Sequence, residues 1–339
     1  MEFKNMEKYY HARERAANWL LSQVHADGSL ENPTNLVAHC KVPYALAVAG
    51  HPLVARRVLD HLNRTFLTAE GDYADKDPDP NYGAVIKLTY IYVDCWIAEA
   101  AQRMGRFDAA QRAGRFILGF QDEASGGFRS FPEGAKGQGP MDLLSTARAG
   151  MLCLFLGKMQ EAEKAGEFLL RGASEQPHPE KAICLTFSHS GSLVSSAPQG
   201  ANELFHLVKT GERGQYYYYL GYPMAFLARL YQATGQERFL EGARKYFEFH
   251  EACAPDAFSS WPSGKSGWGA AILHNITGEE KYGKAAETLA DFFVHTQSPD
   301  GFWFNARAFA RVQDQPPASI YDATAEFVVW LTSILQEIP

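Results

Sequence analysis

Apolar and polar residues follow helical spacing along most of the chain, and single glycines interrupt the pattern at long intervals. Each interruption joins one helical run to a second run with apolar residues at i, i+3 and i+4. The glycines of these joints are Gly50, Gly105, Gly157, Gly235 and Gly278. Because glycine accepts the left-handed conformation that ends a helix, each joint predicts two helices connected by a tight turn.

The pattern predicts twelve helices in two alternating sets. The outer set is charged on one face, as solvent-facing helices are, and covers roughly Lys4–Val24, Pro52–Leu67, Phe107–Gln121, Met159–Ala173, Arg238–Ala252 and Glu280–Gln297. The inner set is apolar or small on all sides and covers roughly Leu36–Ala49, Ile86–Met104, Leu143–Leu156, Tyr217–Thr234, Lys265–Ile276 and Ile320–Ile338. This order predicts an all-α fold, an (α/α)6 toroid of six outer and six inner helices in one domain, residues 1–339. A helical solenoid is the alternative.

The connections from outer to inner helices are long, whereas those that return are the glycine joints. The long ones cover His25–Asn35, Thr68–Val85, Asp122–Asp142, Ser174–Tyr216, Ala254–Gly264 and Ser298–Ser319. Near 182–215, β-branched residues and a Ser-Gly turn predict a small β-hairpin excursion. Long connections at one end of a scaffold are where binding residues collect, so the main pocket is expected at that end.

Composition narrows the class of protein. A net charge of −7 without a basic block argues against nucleic acid as a partner. Five cysteines without a CxxC pair are typical of reduced thiols in a cytoplasmic protein. The sequence contains no apolar signal region and no stretch long enough to span a membrane. We therefore expect a cytoplasmic protein with a small-molecule substrate, and a homo-oligomer is possible.

Three of the outer helices end at a glutamine that precedes a glycine turn. The segments are NWLLSQVHADGSL at Gln23, FILGFQDEASGGF at Gln121 and HTQSPDGFWF at Gln297. TQSPDGFW resembles the QW repeat of triterpene cyclases, in which the glutamine ties the helix end and the tryptophan stacks beneath it. The whole chain thus resembles the α-toroid group of squalene–hopene-type terpene cyclases, protein prenyltransferase β-subunits and linalool dehydratase/isomerase. Similar turns occur in (α/α)6 glycosidases and sugar epimerases.

The chain also departs from these families. The DxDD acid motif of class II terpene cyclases is absent, and the nearest string, DKDPDP at 75–80, is interpreted as a solvated turn. The zinc pattern of the prenyltransferases and the paired histidines of sugar epimerases have no recognisable match either. The fold therefore does not determine the function.

The acid–base candidates are Asp94, His39 and Tyr82. Asp94 is the only charge between Lys87 and Glu99, and among aromatic residues its pKa would be raised, as a general acid or base requires. A structural ion pair or helix cap is an equal alternative. His39 lies in the first turn of an inner helix, where an imidazole can carry protons or simply bond a loop carbonyl. We expect Asp94 and His39 to lie close together, with Tyr82 assisting.

Further residues are predicted to contact the substrate because they lie in or beside the long connections. Cys40 is either a thiol activated by its position near a helix start or a buried thiol. For Asp322, as for Asp142, an N-cap is the favoured alternative. The remaining candidates are Tyr90, Phe128, His189, His206, Tyr218, Trp261, Trp268, Trp303 and Tyr321. Glu203 with His189 and His206 could ligate a metal, but their spacing matches no known site, so no metal and no cofactor are predicted.

Three functions fit these observations. The first is a cofactor-independent, terpene-cyclase-like cyclase, isomerase or dehydratase of biosynthesis, acting by acid–base chemistry on a largely apolar terpenoid or polyketide. An aromatic mouth and few acidic groups inside motivate it. The second is a glycoside hydrolase or sugar epimerase, which needs two carboxylates, Asp94 with Asp142 or Asp322. The third is a non-catalytic toroid that binds a small molecule.

Overall fold

The computed structural model describes residues 6–32, 35–76, 87–306 and 308–338. Contacts divide the chain into two compact units: unit 1 is formed by residues 1–117, 290–337 and 339, and unit 2 by residues 118–289 and 338. The prediction of one domain over 1–339 stays a prediction.

The helices alternate between the two predicted sets. In the described ranges they are α1 (Met6–Ser22), α2 (Leu36–His39), α3 (Val42–Val48), α4 (Pro52–Thr65), α5 (Tyr90–Arg103), α6 (Phe107–Leu118), α7 (Leu143–Phe155), α8 (Met159–Ser174), α9 (Tyr218–Thr234), α10 (Glu237–Glu251), α11 (Gly264–Thr277), α12 (Glu280–Thr296) and α13 (Pro317–Glu337). Segments α2 and α3 are one inner helix, interrupted where Pro43 has no N–H to continue the hydrogen-bond ladder.

Burial separates the outer helices from the inner ones. The outer helix α4 buries only Ala55, Val58, Leu59 and Leu62, a single stripe at helical spacing. The inner helix α7 buries every residue from Leu143 to Cys153. In unit 1, α13 packs against both α1 and α3, so the first and last described helices touch. In unit 2, α9 packs against its inner neighbours α7 and α11.

Unit 2 also contains four short strands, β1 (Met141–Asp142), β2 (Ala182–Cys184), β3 (Thr186–Phe187) and β4 (Leu207–Lys209). Strands β2 and β4 pair antiparallel, with Ile183 opposite Val208, which confirms the predicted excursion. Strand β3 pairs instead with β1, just before α7. The excursion is therefore fastened to an inner helix.

Two of the three glutamines, Gln297 and Gln121, bond the turns that follow them, whereas Gln23 Nε2 donates to Ser22 Oγ. Gln297 Nε2 donates to the carbonyl of Gly301 at 2.8 Å and to that of Ala12 in α1 at 2.8 Å. Gln121 Nε2 does the same, to Gly126 at 3.1 Å and to Glu161 in α8 at 2.9 Å. Each of these two glutamines thus closes its own turn and holds that turn against the neighbouring outer helix.

Four turns that follow outer helices, three of them glutamine turns, place a glycine directly on the backbone of the next outer helix. All four glycines have a positive φ, between 80° and 103°. A Cβ atom on any of them would stand 2.1–2.5 Å from a backbone carbonyl oxygen. The pairs are Gly28 with Arg57, Gly71 with Arg112, Gly126 with Lys164, and Gly301 with Arg15. Only glycine fits both the conformation and the space.

Candidate functional site

The turns are fastened to the inner helices by one recurring hydrogen bond. In each case the residue two positions after the turn glycine donates its backbone N–H to a side chain of the following inner helix. The donors are Leu30, Tyr73, Phe128 and Trp303, and the acceptors, in the same order, are His39 Nε2 at 3.1 Å, Asp94 Oδ1 at 2.7 Å, Thr146 Oγ1 at 2.9 Å and Thr324 Oγ1 at 3.1 Å. We call these four acceptors the anchor residues.

The anchor residues set a common register for the inner helices. On an α-helix, positions i−2 and i+2 lie about 160° from position i, on the opposite face. That face therefore carries the residues two before and two after each anchor. In unit 1 these are Val37 and Lys41, Tyr92 and Trp96, and Asp322 and Glu326; in unit 2 they are Leu144 and Arg148.

His39 has a structural environment. Its Nε2 accepts from Leu30, and its Nδ1 lies 2.8 Å from the carbonyl of Asn35, so both ring nitrogens are engaged by backbone groups. The ring stacks on His61 at 5.1 Å. Burial, together with the charge of His61, lowers the pKa of His39 to about 4. At neutral pH it is a neutral imidazole that holds a turn.

Asp94 occupies the equivalent position on α5 and is 1% exposed. Burial, and then the charge of Asp72, raises its pKa well above the usual value, as the sequence led us to expect. Its Oδ1 accepts the backbone N–H of Tyr73 at 2.7 Å. The charges that act on His39 come from His61 and Asp27, so the pairing of Asp94 with His39 stays a prediction.

We predict that Asp94→Asn stabilises the protein increasingly as the pH rises. Below its unfolded-state pKa of about 4, a carboxyl whose pKa is raised in the folded state contributes to the free energy of unfolding. That contribution is lost as the pH rises through the folded-state pKa. Asparagine stays neutral and keeps an oxygen for the Tyr73 N–H. Urea unfolding at pH 5 and pH 8 measures the effect. A variant whose advantage over the wild type did not grow with pH would contradict the neutral, anchoring role.

The face opposite the anchors in unit 1 contains a buried charged centre, formed by Lys41, Asp322 and Glu326. Lys41 is 4% exposed, and its Nζ lies 2.9 Å from the Asp322 carboxylate and also bonds the Glu326 carboxylate. The Asp322 side chain is 24% exposed and that of Glu326 only 10%. Burial alone would lower the pKa of Lys41, but the two carboxylates raise it well above its usual value. The centre is therefore a stably charged ammonium with two anionic partners.

Aromatic rings surround the charged centre. Lys41 Nζ lies 5.5 Å from the ring centroid of Tyr92 and 5.7 Å from that of Trp96. Trp330 donates its indole N–H to Glu326 at 3.0 Å and packs edge-on against Trp96. Cys40 Sγ lies 3.9 Å from Asp322, and burial raises the pKa of this thiol, which favours the buried alternative for Cys40 over an activated thiol.

Two residues of unit 1 predicted as substrate contacts form side-chain hydrogen bonds. The Tyr90 hydroxyl donates to Asp72 Oδ2 at 2.6 Å, and that of Tyr321 donates to Gln23 at 3.1 Å. Asp322 is not an N-cap, because α13 begins at Pro317. Tyr82 lies outside the described residues.

The predicted aromatic wall divides into buried and half-buried rings. Phe128 and Trp303 are fully buried, and Trp303 donates its indole N–H to the Phe293 carbonyl at 2.9 Å. Both rings therefore belong to the hydrophobic core beneath their turns. Tyr218, Trp261 and Trp268, all in unit 2, are half-buried. Contact between any of these rings and a substrate stays a prediction.

The three residues considered for a metal have separate partners. His189 Nδ1 lies 3.2 Å from Arg129 Nη1, and His206 Nδ1 lies 3.3 Å from Thr186 Oγ1. Glu203 forms an ion pair with Lys209, with 2.7 Å between Oε2 and Nζ. The described residues contain no group of three or more side chains arranged to hold a metal. Asp142, by contrast, caps α7 as expected, accepting from the Ser145 N–H at 2.7 Å.

Sequence reasoning missed Lys41, Glu326, Arg148 and Lys265, which are buried in inner helices. The signal was present, because each is a charge within an otherwise apolar helical run, the criterion that singled out Asp94. The expectation of few acidic groups inside stays a prediction; the carboxyl residues buried in the described ranges are Asp94, Glu99, Asp142, Asp256, Glu326 and Glu337.

Two surface grooves lie in unit 1. One, of about 550 Å³, is at a long connection and is lined by Arg15, Asn18, Trp19, Ser22, Pro299, Asp300 and Phe302. The other, of about 410 Å³, is at two of the tight turns and is lined by Ala47, Val48, Pro52, Leu53, Arg56, Arg103 and Met104. No helix in the described ranges is both long and apolar enough to cross a membrane.

No family model and no curated sequence matches the chain, but solved structures do. A D-mannose isomerase aligns with a TM-score of 0.73 at 11% identity over 99% of each chain. An unsaturated glucuronyl hydrolase specific for heparin aligns with a TM-score of 0.63 at 10% identity, over 98% of this chain and 97% of that chain. A type II terpene cyclase from Scytonema, in complex with merosterolic acid A, aligns at 0.60 and 13% identity over 100% of each. At these identities the likeness shows the fold, an (α/α)6 toroid, and confirms that prediction.

Proposed function

We propose that the protein is an enzyme that transfers a proton during an isomerisation or elimination, with Asp322 as the base and Lys41 as its counter-ion. The observation that supports this is the charged centre: an ammonium, bonded to two carboxylates, on the inner-helix face opposite the anchors. Asp322 is the most exposed of the three groups. It is therefore the one that a substrate reaches first.

The geometry supports proton abstraction next to a carbonyl or hydroxyl group. An ionised carboxylate takes the proton, and a neighbouring cation stabilises the negative charge that develops on the substrate oxygen. Lys41 suits the second task because its raised pKa keeps it charged at neutral pH. Glu326 balances the charge of Lys41 from the more buried side. In an isomerisation Asp322 returns the proton to the neighbouring carbon while the hydroxyl proton passes to the former carbonyl oxygen; in an elimination the proton passes to the departing hydroxyl group, which leaves as water.

This chemistry favours a polar, sugar-like substrate. The similarity in fold to a D-mannose isomerase is consistent with that substrate class. A glycoside hydrolase is less well supported, because it needs carboxylates on either side of the scissile bond. Asp322 and Glu326 are instead four residues apart on one helix and are held by the same ammonium.

A cyclase that acts on a largely apolar substrate is the second candidate. The rings of Tyr92, Trp96 and Trp330 favour it, because aromatic faces stabilise carbocations. In that reaction Asp322 would remove the terminating proton. The candidate acid for the first step of a cyclase is Asp94, which is 1% exposed and accepts the Tyr73 backbone N–H. This environment favours the cyclase less than the isomerase.

The test is proton exchange with solvent. Wild-type protein is incubated with a panel of aldoses and ketoses in D2O, and NMR follows isomerisation and deuterium uptake. We expect Asp322→Asn to reduce turnover by about 10²-fold or more, since an amide cannot accept the proton. The control is Asp108→Asn, which removes a surface carboxylate paired with Arg106 and should leave turnover unchanged.

Two outcomes would count against the proposal. Turnover by Asp322→Asn equal to that of the wild type would remove Asp322 as the base. Wild-type protein that exchanges no proton with any sugar but converts a prenyl substrate would replace the proposed function with the cyclase.

A further inference from the structure

The larger of the two grooves described in unit 1 lies between the last turns of α1 and the turn that follows α12. It has a volume of about 550 Å³ and is open to solvent. The residues that α1 contributes are spaced by three or four positions, so they share one face of the helix. The lining residues are Arg15, Asn18, Trp19 and Ser22 of α1 and Pro299, Asp300 and Phe302 of the turn.

Two aromatic rings line the groove. Trp19 and Phe302 are both half-buried, and their ring centroids lie 5.3 Å apart, with an angle of 45° between the ring planes. Trp19 also packs against the ring of Tyr321 at 5.2 Å, and Tyr321 is only 4% exposed. The indole is therefore supported by a buried ring while part of its own surface stays in contact with solvent.

The turn that carries Phe302 rests on the backbone of α1. A Cβ atom on Gly301 would stand 2.5 Å from the carbonyl oxygen of Arg15, so the turn and the helix are in direct contact. Gln297, which opens the turn, donates to the Ala12 carbonyl at 2.8 Å and accepts from the Arg15 guanidinium. The two walls of the groove are thus held together without a ligand, so little conformational entropy is lost when a ligand binds.

Polar groups of both signs lie beside the rings. Arg15, Asn18 and Asp300 are all exposed. The guanidinium and the carboxylate balance each other in charge, so the lining side chains have no net charge that would select an ionic ligand. The amide of Asn18 can both donate and accept a hydrogen bond. A neutral polyol satisfies such a set, because a carboxylate accepts from neighbouring hydroxyl groups while an amide and a guanidinium donate to others.

We propose that this groove binds a neutral saccharide, with a sugar ring against Trp19 and with hydroxyl groups bonded to Asp300 and Asn18. The face of an indole attracts the partly positive C–H bonds of a pyranose, because the π-system is negative above the ring. At about 550 Å³ the groove has room for more than one sugar ring, which favours a short oligosaccharide. No residue of the charged centre lines the groove, so the proposal goes beyond the proposed function and does not depend on it.

Saturation-transfer NMR titrations test the proposal, because they detect the weak complexes that an open groove forms. The probes are maltotetraose, cellotetraose and mannotetraose, with tetragalacturonate as the charged comparison, at constant ionic strength. We expect the wild type to bind at least one neutral tetrasaccharide more tightly than it binds tetragalacturonate. A wild type that bound none of the neutral probes, or that preferred the charged probe to all of them, would overturn the proposal.

Variants of Trp19 assign the binding to the groove. Trp19→Ala should weaken it by about 5-fold or more, because it removes the ring on which the sugar lies. Trp19→Phe keeps an aromatic face and should retain most of the binding. The matched control is Tyr10→Ala, which removes a ring that is 46% exposed on the same helix but does not line the groove. Equal binding by Trp19→Ala and Tyr10→Ala would contradict the proposal.

Two carboxylate variants complete the test. Asp300→Asn leaves both rings in place and should weaken binding by about 3-fold or more, because a hydrogen bond to a charged group is about twice as strong as one to a neutral group. Asp322→Asn alters the charged centre and should bind the saccharide as well as the wild type does, whether or not it loses turnover. If Asp322→Asn lost the binding and Trp19→Ala kept it, the saccharide would occupy the charged centre and the proposal would be wrong.

Discussion

Replacing Lys41 with methionine is expected to lower the free energy of unfolding by about 3–5 kcal/mol, because it removes a buried ammonium that two carboxylates of the inner-helix face bond. The side chain of Lys41 is 5% exposed and bonds both Asp322 and Glu326. Methionine has a similar length and keeps the contacts with Tyr92 and Trp96, so the loss is mainly electrostatic. Urea unfolding at pH 7 measures it.

Two further variants isolate the electrostatic part. Lys245→Met removes an exposed lysine paired with Glu248 and should cost less than about 1 kcal/mol. Adding Glu326→Gln to Lys41→Met removes one of the two carboxylates that Lys41 bonds. The double variant should therefore recover part of the lost free energy of unfolding. A Lys41→Met variant no less stable than Lys245→Met would show that the centre contributes nothing to the fold.

Replacing Gly126 with alanine is expected to destabilise the protein by about 2–4 kcal/mol, the combined cost of a left-handed backbone and a steric clash. The new Cβ would stand 2.2 Å from the carbonyl oxygen of Lys164 in α8, at a φ of 80°. The turn must therefore move away from the helix it rests on. It would take with it the Gln121 hydrogen bond to α8.

Gly157 is the matched control for this prediction. Its φ is 70°, close to that of Gly126, but a Cβ there would meet nothing within 4 Å. Gly157→Ala should therefore cost only the conformational term, about 1 kcal/mol. Thermal unfolding of both variants gives the difference. If the two alanine variants melted at the same temperature, the contact between turn and helix would have no energetic importance.

Helix periodicity was sufficient to predict the fold. The glycine joints and the two kinds of helical run predicted six outer and six inner helices, and the ends of α4 and α7 agree within two residues. The glutamine turns were recognised from three segments. Their second function, holding the next outer helix, depends on contacts with residues such as Ala12 that lie hundreds of positions away.

The candidate site was harder to predict, because a lone charge in an inner helix has two explanations. Asp94 and His39 were selected as isolated polar groups, yet both accept a backbone N–H that Thr146 and Thr324 accept elsewhere. A carboxylate, an imidazole and a hydroxyl all satisfy that donor, so residue type does not reveal the position. Lys41 is only two positions after His39 in the sequence, yet it lies on the opposite face of the helix. The substrate, the cytoplasmic location and the oligomeric state remain predictions.

The packing of α1 against α13 bears on how the chain folds as it is synthesised. The Tyr9 hydroxyl donates to Asp291, 282 residues away, and that of Tyr321 donates to Gln23, 298 residues away. The apolar stripe of α1, which includes Ala12, Ala16 and Leu20, therefore lacks these partners until almost the whole chain has left the ribosome. Apart from Ile338, unit 2 is one continuous segment, residues 118–289, and can complete its own contacts earlier. Unit 1 is thus expected to fold last, and its first helix is the segment most in need of protection until then.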